Sequence, residues 1–112
     1  MARLIVNALS EDTIAAPGNR RANYIETSVT SATGVPVTGL GMKNFRVDPM
    51  IVGPGGSLVD VKNVAAGRLP GFYHLDVEPI KKRDWKKGVY IFAVAVKKGA
   101  NRGQTLATVE MD

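Results

Sequence analysis

The chain contains no cysteine. That excludes a disulfide scaffold, a thiol nucleophile and a cysteine-ligated zinc site, and it fits a reducing compartment. Histidine occurs once, at position 74. A two-histidine metal site is therefore impossible, and a serine triad would have a single candidate base far along the chain from Ser28 and Ser31. No sustained helical period and none of the familiar repeat periods occurs. The opening "MARLIVNALSED" is too short to span a bilayer as a helix, and it lacks the clean apolar region and cleavage site of a secretory leader. No membrane span is expected, and the expected location is cytoplasmic or associated with a virion or other particle.

Phosphate and calcium motifs are also missing. "GPGG" at 53–56 offers backbone N–H groups, but the Lys-Ser/Thr pair and following helix of a phosphate loop are absent, so a tight turn is expected there. No Asp-x-Asp-x-Asp-Gly loop occurs. The expectation is a chain without cofactor or metal, and not an enzyme.

What is present reads as β structure. Twelve glycines and six prolines recur between short runs dominated by β-branched residues, the pattern of evenly spaced strands joined by turns. The 112 residues suffice for one domain over 1–112 with a modest core. Seven strands are predicted, with a possible eighth edge piece at 13–16. The first covers 3–9 and the second 23–30, with Ile25 and Val29 flanking Thr27 on one face and Tyr24 and Glu26 on the other. The third covers 42–48, with Phe45 and Val47 opposite Asn44 and Arg46. The fourth covers 57–62, and 63–70 is a connector. The fifth, 72–78, alternates Tyr73, Leu75 and Val77 inward with His74, Asp76 and Glu78 outward. After Pro79 and a basic corner comes "VYIFAVAVKK". Its two faces, Tyr90-Phe92-Val94-Val96 and Val89-Ile91-Ala93-Ala95, are both apolar, which places it centrally in its sheet. A polar turn, "KKGANRG", then returns the chain along 104–111, making the last two strands a hairpin.

Three segments together carry a resemblance. "YIETSVTSATGVPVTGLGMKNFRV" is strand, Gly/Pro turn, strand. "PGFYHLDVEP" has the G-x-Y-x-L-x-V form. "WKKGVYIFAVAV" has the W-x-x-G-x-Y-x-F-x-V form. Together they resemble the bacterial immunoglobulin-like superfamily, in its invasin- and macroglobulin-type modules, over roughly 20–111. The resemblance implies an all-β, immunoglobulin-like antiparallel β-sandwich of seven to eight strands. It also implies that Tyr90 packs near the start of its strand and that Phe92 occupies the place where antibody domains keep a cysteine. It is almost silent on function, because one such scaffold serves adhesins, carbohydrate-binding modules, phage decorations and spacers.

Two constellations remain. Lys81, Lys82, Arg83, Trp85, Lys86 and Lys87 form a corner around the only tryptophan. Either Trp85 plugs the end of the sandwich while the cations stay in water, or it is an exposed platform that stacks bases or meets an anionic surface. Lys97, Lys98 and Arg102 sit at the far end of the next strand, so the basic charge reads as divided between two ends. His74, Asp76 and Glu78, at alternate positions of one strand, form either a solvated face or a weak cation site. The Asp76–Glu78 spacing of about 7 Å is compatible with a carboxylate-dependent hydrolase.

The expected function is a structural or binding module, part of a bacterial or phage surface or particle assembly. It would act through loops at one end of the sandwich: 33–38, including Val35 and Pro36, 48–56, and the 81–87 corner. The formal net charge of +5 favours acidic partners and also solubility. Partners are therefore expected to be a protein or a second copy, with weak polyanion binding at the Trp85 corner as the alternative. The first strand, apolar on both faces, either completes the fold or adds to a neighbour's sheet.

Overall fold

Alternation of apolar and polar residues with period two forces each run to bury one face, and two such sheets bury those faces against each other. The computed structural model describes residues 3–11, 23–51, 59–80 and 88–111. Its strands are β1 (Leu4–Glu11), β2 (Asn23–Ser31), β3 (Phe45–Ile51), β4 (Val59–Ala66), β5 (Phe72–Pro79), β6 (Gly88–Lys98) and β7 (Asn101–Met111). They form two antiparallel sheets, one ordered β1-β2-β5-β4 and the other β3-β6-β7. The fold is all-β, a two-layer sandwich.

The core is what the alternation dictates. Ile25, Val29, Tyr73, Leu75 and Val77 of the four-stranded sheet face Phe45, Val47, Tyr90, Phe92, Val94 and Val96 of the other, all buried. Each contributes on the order of 1.5–3 kcal/mol relative to exposure. Tyr90 and Phe92 are fully buried with ring centroids 6.0 Å apart. Thr27 is buried within the same row, and its Oγ1 has no hydrogen-bond partner. β6 is central, pairing with β3 on one side and β7 on the other. Its hairpin with β7 turns through Gly99, at φ +60°, between Lys98 and its partner Asn101.

Two strand expectations are corrected. The segment 42–48 starts as a 3-10 turn over Met42–Asn44, and β3 then runs on to Ile51 with a register shift at Pro49/Ile51. An edge strand tolerates proline, because the missing N–H faces no neighbour. The expected connector at 63–70 is strand as far as Ala66. A register shift between Val61 and Asn63 turns Val64 back toward the core, so a strict period-two reading lost the strand there. The possible strand at 13–16 lies outside the described residues.

The first strand completes the fold rather than standing free. β1 pairs with β2 along its length, Leu4 opposite Ser31 through Glu11 opposite Tyr24. At its start it also crosses to the other sheet, with Arg3 bridging Arg102 in parallel. The approach is so close that a Cβ added to Gly103 would sit 2.3 Å from the Leu4 carbonyl oxygen. Only glycine fits there. The sandwich is thus closed along β1 and β7. On the opposite side, β3 and β4 are the sheet edges, each interrupted by a bulge and bearing charged residues, features that discourage edge pairing.

Candidate functional site

The connection from β2 to β3 sets only Leu40 in the core, with Val37 partly buried against it, and hydrogen bonds hold the rest. Ser31 Oγ accepts from the N–H groups of Thr33 (3.3 Å) and Val35 (3.1 Å), and the N–H of Gly34, at φ +86°, donates to the Ser31 carbonyl at 3.0 Å. Val37 N–H then reaches back to the Val29 carbonyl at 3.0 Å. The phenol of buried Tyr73 fastens the next stretch. It donates to the Val37 carbonyl at 2.7 Å and accepts from Leu40 N–H at 3.3 Å, a polar tip on an otherwise apolar core side chain. Asn44 ties the 3-10 turn to β6: its Oδ1 accepts from Gly41 N–H and its Nδ2 donates to the Lys97 carbonyl, both at 2.9 Å.

The loop between β4 and β5 locks onto this platform. Gly67 N–H donates to the Phe72 carbonyl at 2.7 Å, and Val29 N–H donates to the Gly71 carbonyl at 2.8 Å. Gly71 has φ +81°, and a Cβ there would lie 2.8 Å from the Val29 carbonyl and 3.0 Å from the Pro36 Cβ. Glycine is required both for the conformation and for the approach of the two loops. Lys98 Nζ, on the β6–β7 hairpin, donates to the Thr38 carbonyl at 3.2 Å. Three connections distant in sequence are therefore joined into one end face.

That face is cationic. Lys97 and Arg102 are directly opposite each other in the hairpin, and Arg3 bridges Arg102. Lys43 and Arg46 line the same groove of about 540 Å³ on the three-stranded sheet as Lys97 and Arg102. Lys98 borders Val35 and Pro36 on the adjoining side, and Arg68 borders residues 38–40. Seven of the fifteen Lys and Arg thus gather here. Asp48 is the carboxylate next to them, paired with Arg46 Nε at 2.8 Å.

Val35 and Pro36 stand on this face, both exposed. Lys81, Lys82, Arg83, Trp85, Lys86 and Lys87 lie outside the described residues, as do 52–56. The described strand ends that flank those segments lie away from the 33–38 turn. Ile51 pairs with Ile91, Val59 with Pro79, and β6 begins at Gly88 opposite Met111. These ends lie opposite the 33–38 turn.

The outward row of β5 makes a second cluster. His74 Nδ1 is paired with Glu26 Oε1 across the β2–β5 ladder, and its Nε2 lies 3.4 Å from Asp76 Oδ1 without hydrogen-bond alignment. The Tyr24 ring packs 4.4 Å from the imidazole. Glu78 is instead opposite Asp60 on β4. The partner that sequence spacing missed is Glu26, brought in by the β2–β5 register. Among the described residues no group of three or more His, Asp or Glu is arranged to hold a metal ion, so the His74, Asp76, Glu78 cation site does not form. The side chains of Glu26, His74 and Asp76 are 40%, 32% and 25% exposed, on an open sheet face.

The tie made by Tyr73 and the arrival of Arg3, Lys43, Arg46 and Arg68 at one end were not read from the sequence. The Lys97–Arg102 pairing was within reach once the hairpin register was assigned. A scan against protein-family models, a search of curated proteins and a search of solved structures each found no match to this chain.

Proposed function

We propose that the chain is a non-enzymatic immunoglobulin-like module that works by surface contact, as a structural component of a bacterial or phage surface or particle. Strand order supports the immunoglobulin-like reading: β1-β2-β5-β4 against β3-β6-β7 corresponds strand for strand to the ABED and CFG sheets of constant-type domains. The observation that carries the assembly reading is the outer face of the three-stranded sheet. There Val89 is 43% and Leu106 56% exposed, beside half-buried Ile91 and Ala95. Leu106 stands opposite Ala93 in the ladder, so these side chains form a continuous apolar strip of the kind that a second copy covers.

Light scattering on a sizing column, at increasing protein concentration and with about 0.5 M NaCl added to screen surface charges, tests this reading. The expected result is a discrete oligomer insensitive to salt, reduced to monomer by Leu106→Lys. A monomer at every concentration refutes assembly through this face.

A further inference from the structure

We infer that the cationic end face docks onto an anionic lipid surface, with two apolar loop tips entering the interface between charged headgroups. This inference rests on the reading of the chain as a surface-contact module; its loop tips lie at the end of the sandwich, while Arg46, Lys97 and Arg102 continue onto the outer sheet face that carries the assembly strip.

The first observation is the pair of tips. Val35 is 60% and Leu69 62% exposed, each followed by an exposed proline, Pro36 and Pro70. Neither belongs to the core cluster. They are nonetheless held in fixed positions, because Gly71 lets the two loops meet and the Ser31 and Val29 hydrogen bonds pin the turn. Both side chains keep apolar surface that an adjoining interface could bury.

The second observation is the charge around them. Arg68 precedes Leu69 in the chain, and Arg3 and Lys98 border Val35 and Pro36. Like charges face each other in the ladder at Lys97 and Arg102 and at Arg3 and Arg102, an arrangement that opposes pairing unless an anion neutralises it. Among the described residues of this end, Asp48 is the one carboxylate, and it is already engaged by Arg46.

Cations alone would suit any polyanion. The aliphatic tips select among them. A single-stranded nucleic acid offers phosphates to the cations but is held in large part by aromatic platforms on which bases stack, neither tip is aromatic, and the phosphates of a duplex give an aliphatic tip nothing to enter. An anionic bilayer accepts both features at once: headgroups meet Lys and Arg, and the interface takes up the apolar tips.

Co-sedimentation of the full chain with phosphatidylcholine vesicles, with and without phosphatidylserine, is the test. Binding is expected to the phosphatidylserine vesicles alone and to weaken with added salt. Arg68→Glu combined with Lys98→Glu is expected to weaken binding at least tenfold, at roughly fivefold for each cation near the surface. Lys62→Glu, on β4 outside this face, is the control for general net charge. Val35→Ser combined with Leu69→Ser is expected to weaken vesicle binding while leaving binding to heparin and to a single-stranded oligonucleotide unchanged. These positions are exposed, and an unaltered urea midpoint shows that the variants fold. The inference is overturned by no binding to phosphatidylserine vesicles, by equal losses with Lys62→Glu, or by serine variants that bind vesicles like the parent. The last result, with tight oligonucleotide binding, would assign the face to nucleic acid instead. Leu106→Ser separates the two proposals: it weakens assembly through the apolar strip without adding a charge to the face that bears Lys97 and Arg102.

Discussion

Substitution of Gly103 by alanine tests how the first strand is held. A Cβ at this position would lie 2.3 Å from the Leu4 carbonyl oxygen and 2.9 Å from both the Leu4 carbonyl carbon and Val6 Cγ2. Ordinary contact begins about 1 Å further out, and the atom in the way is backbone, which cannot rotate aside. Either β7 bends or β1 lifts from it. Overpacking of this kind costs about 1–3 kcal/mol when the structure yields locally. If β1 detaches, buried Leu4 and Val6 lose about 1.5–3 kcal/mol each, which approaches the whole stability of a marginal domain. Gly41→Ala is the control: its added Cβ meets nothing within 4 Å, and its φ is −131°. That variant is expected to unfold within about 0.5 kcal/mol of the parent. Equilibrium urea unfolding compares the three proteins, and amide exchange over residues 4–11 reports whether β1 has loosened. Coincident midpoints for Gly103→Ala and Gly41→Ala would refute the close crossing of β1 over β7.

Tyr73→Phe removes the donor to the Val37 carbonyl and the acceptor for Leu40 N–H. It is expected to lower stability by about 1–3 kcal/mol and to speed exchange at Leu40; a parent-like midpoint and exchange rate would contradict the anchor. Thr27→Val replaces an unpartnered buried hydroxyl with a methyl group and is expected to leave stability unchanged or raise it by about 1 kcal/mol. A clear fall in its urea midpoint would mean that the hydroxyl is bonded in solution.

Much of the candidate site was hidden in the sequence for a reason that particular residues illustrate. Val35 and Pro36 were legible, because a Thr-Gly-Val-Pro-Val-Thr-Gly stretch between two alternating runs must be a surface turn. The cationic face was not. Its charges come from the residue before β1, the β2–β3 connection, β3, the β4–β5 loop and the β6–β7 hairpin. Their meeting depends on Arg3 crossing to Arg102 and on Gly71 admitting Pro36. Glu26 pairing with His74 likewise depends on a ladder between strands nearly fifty residues apart.

By itself the sequence determined the all-β class, seven strands close to their observed places, and the inward rows Ile25-Thr27-Val29, Tyr73-Leu75-Val77 and Tyr90-Phe92-Val94-Val96. Period-two alternation is a local property, and burial enforces it wherever one face of a strand meets a core. Only the tertiary structure decided that β4 continues past its bulge, that β1 closes the sandwich against β7, and that Arg3, Lys43, Arg46, Arg68, Lys97, Lys98 and Arg102 collect at one end. Those features depend on which strands pair and how closely they approach, quantities set by the packing of distant segments.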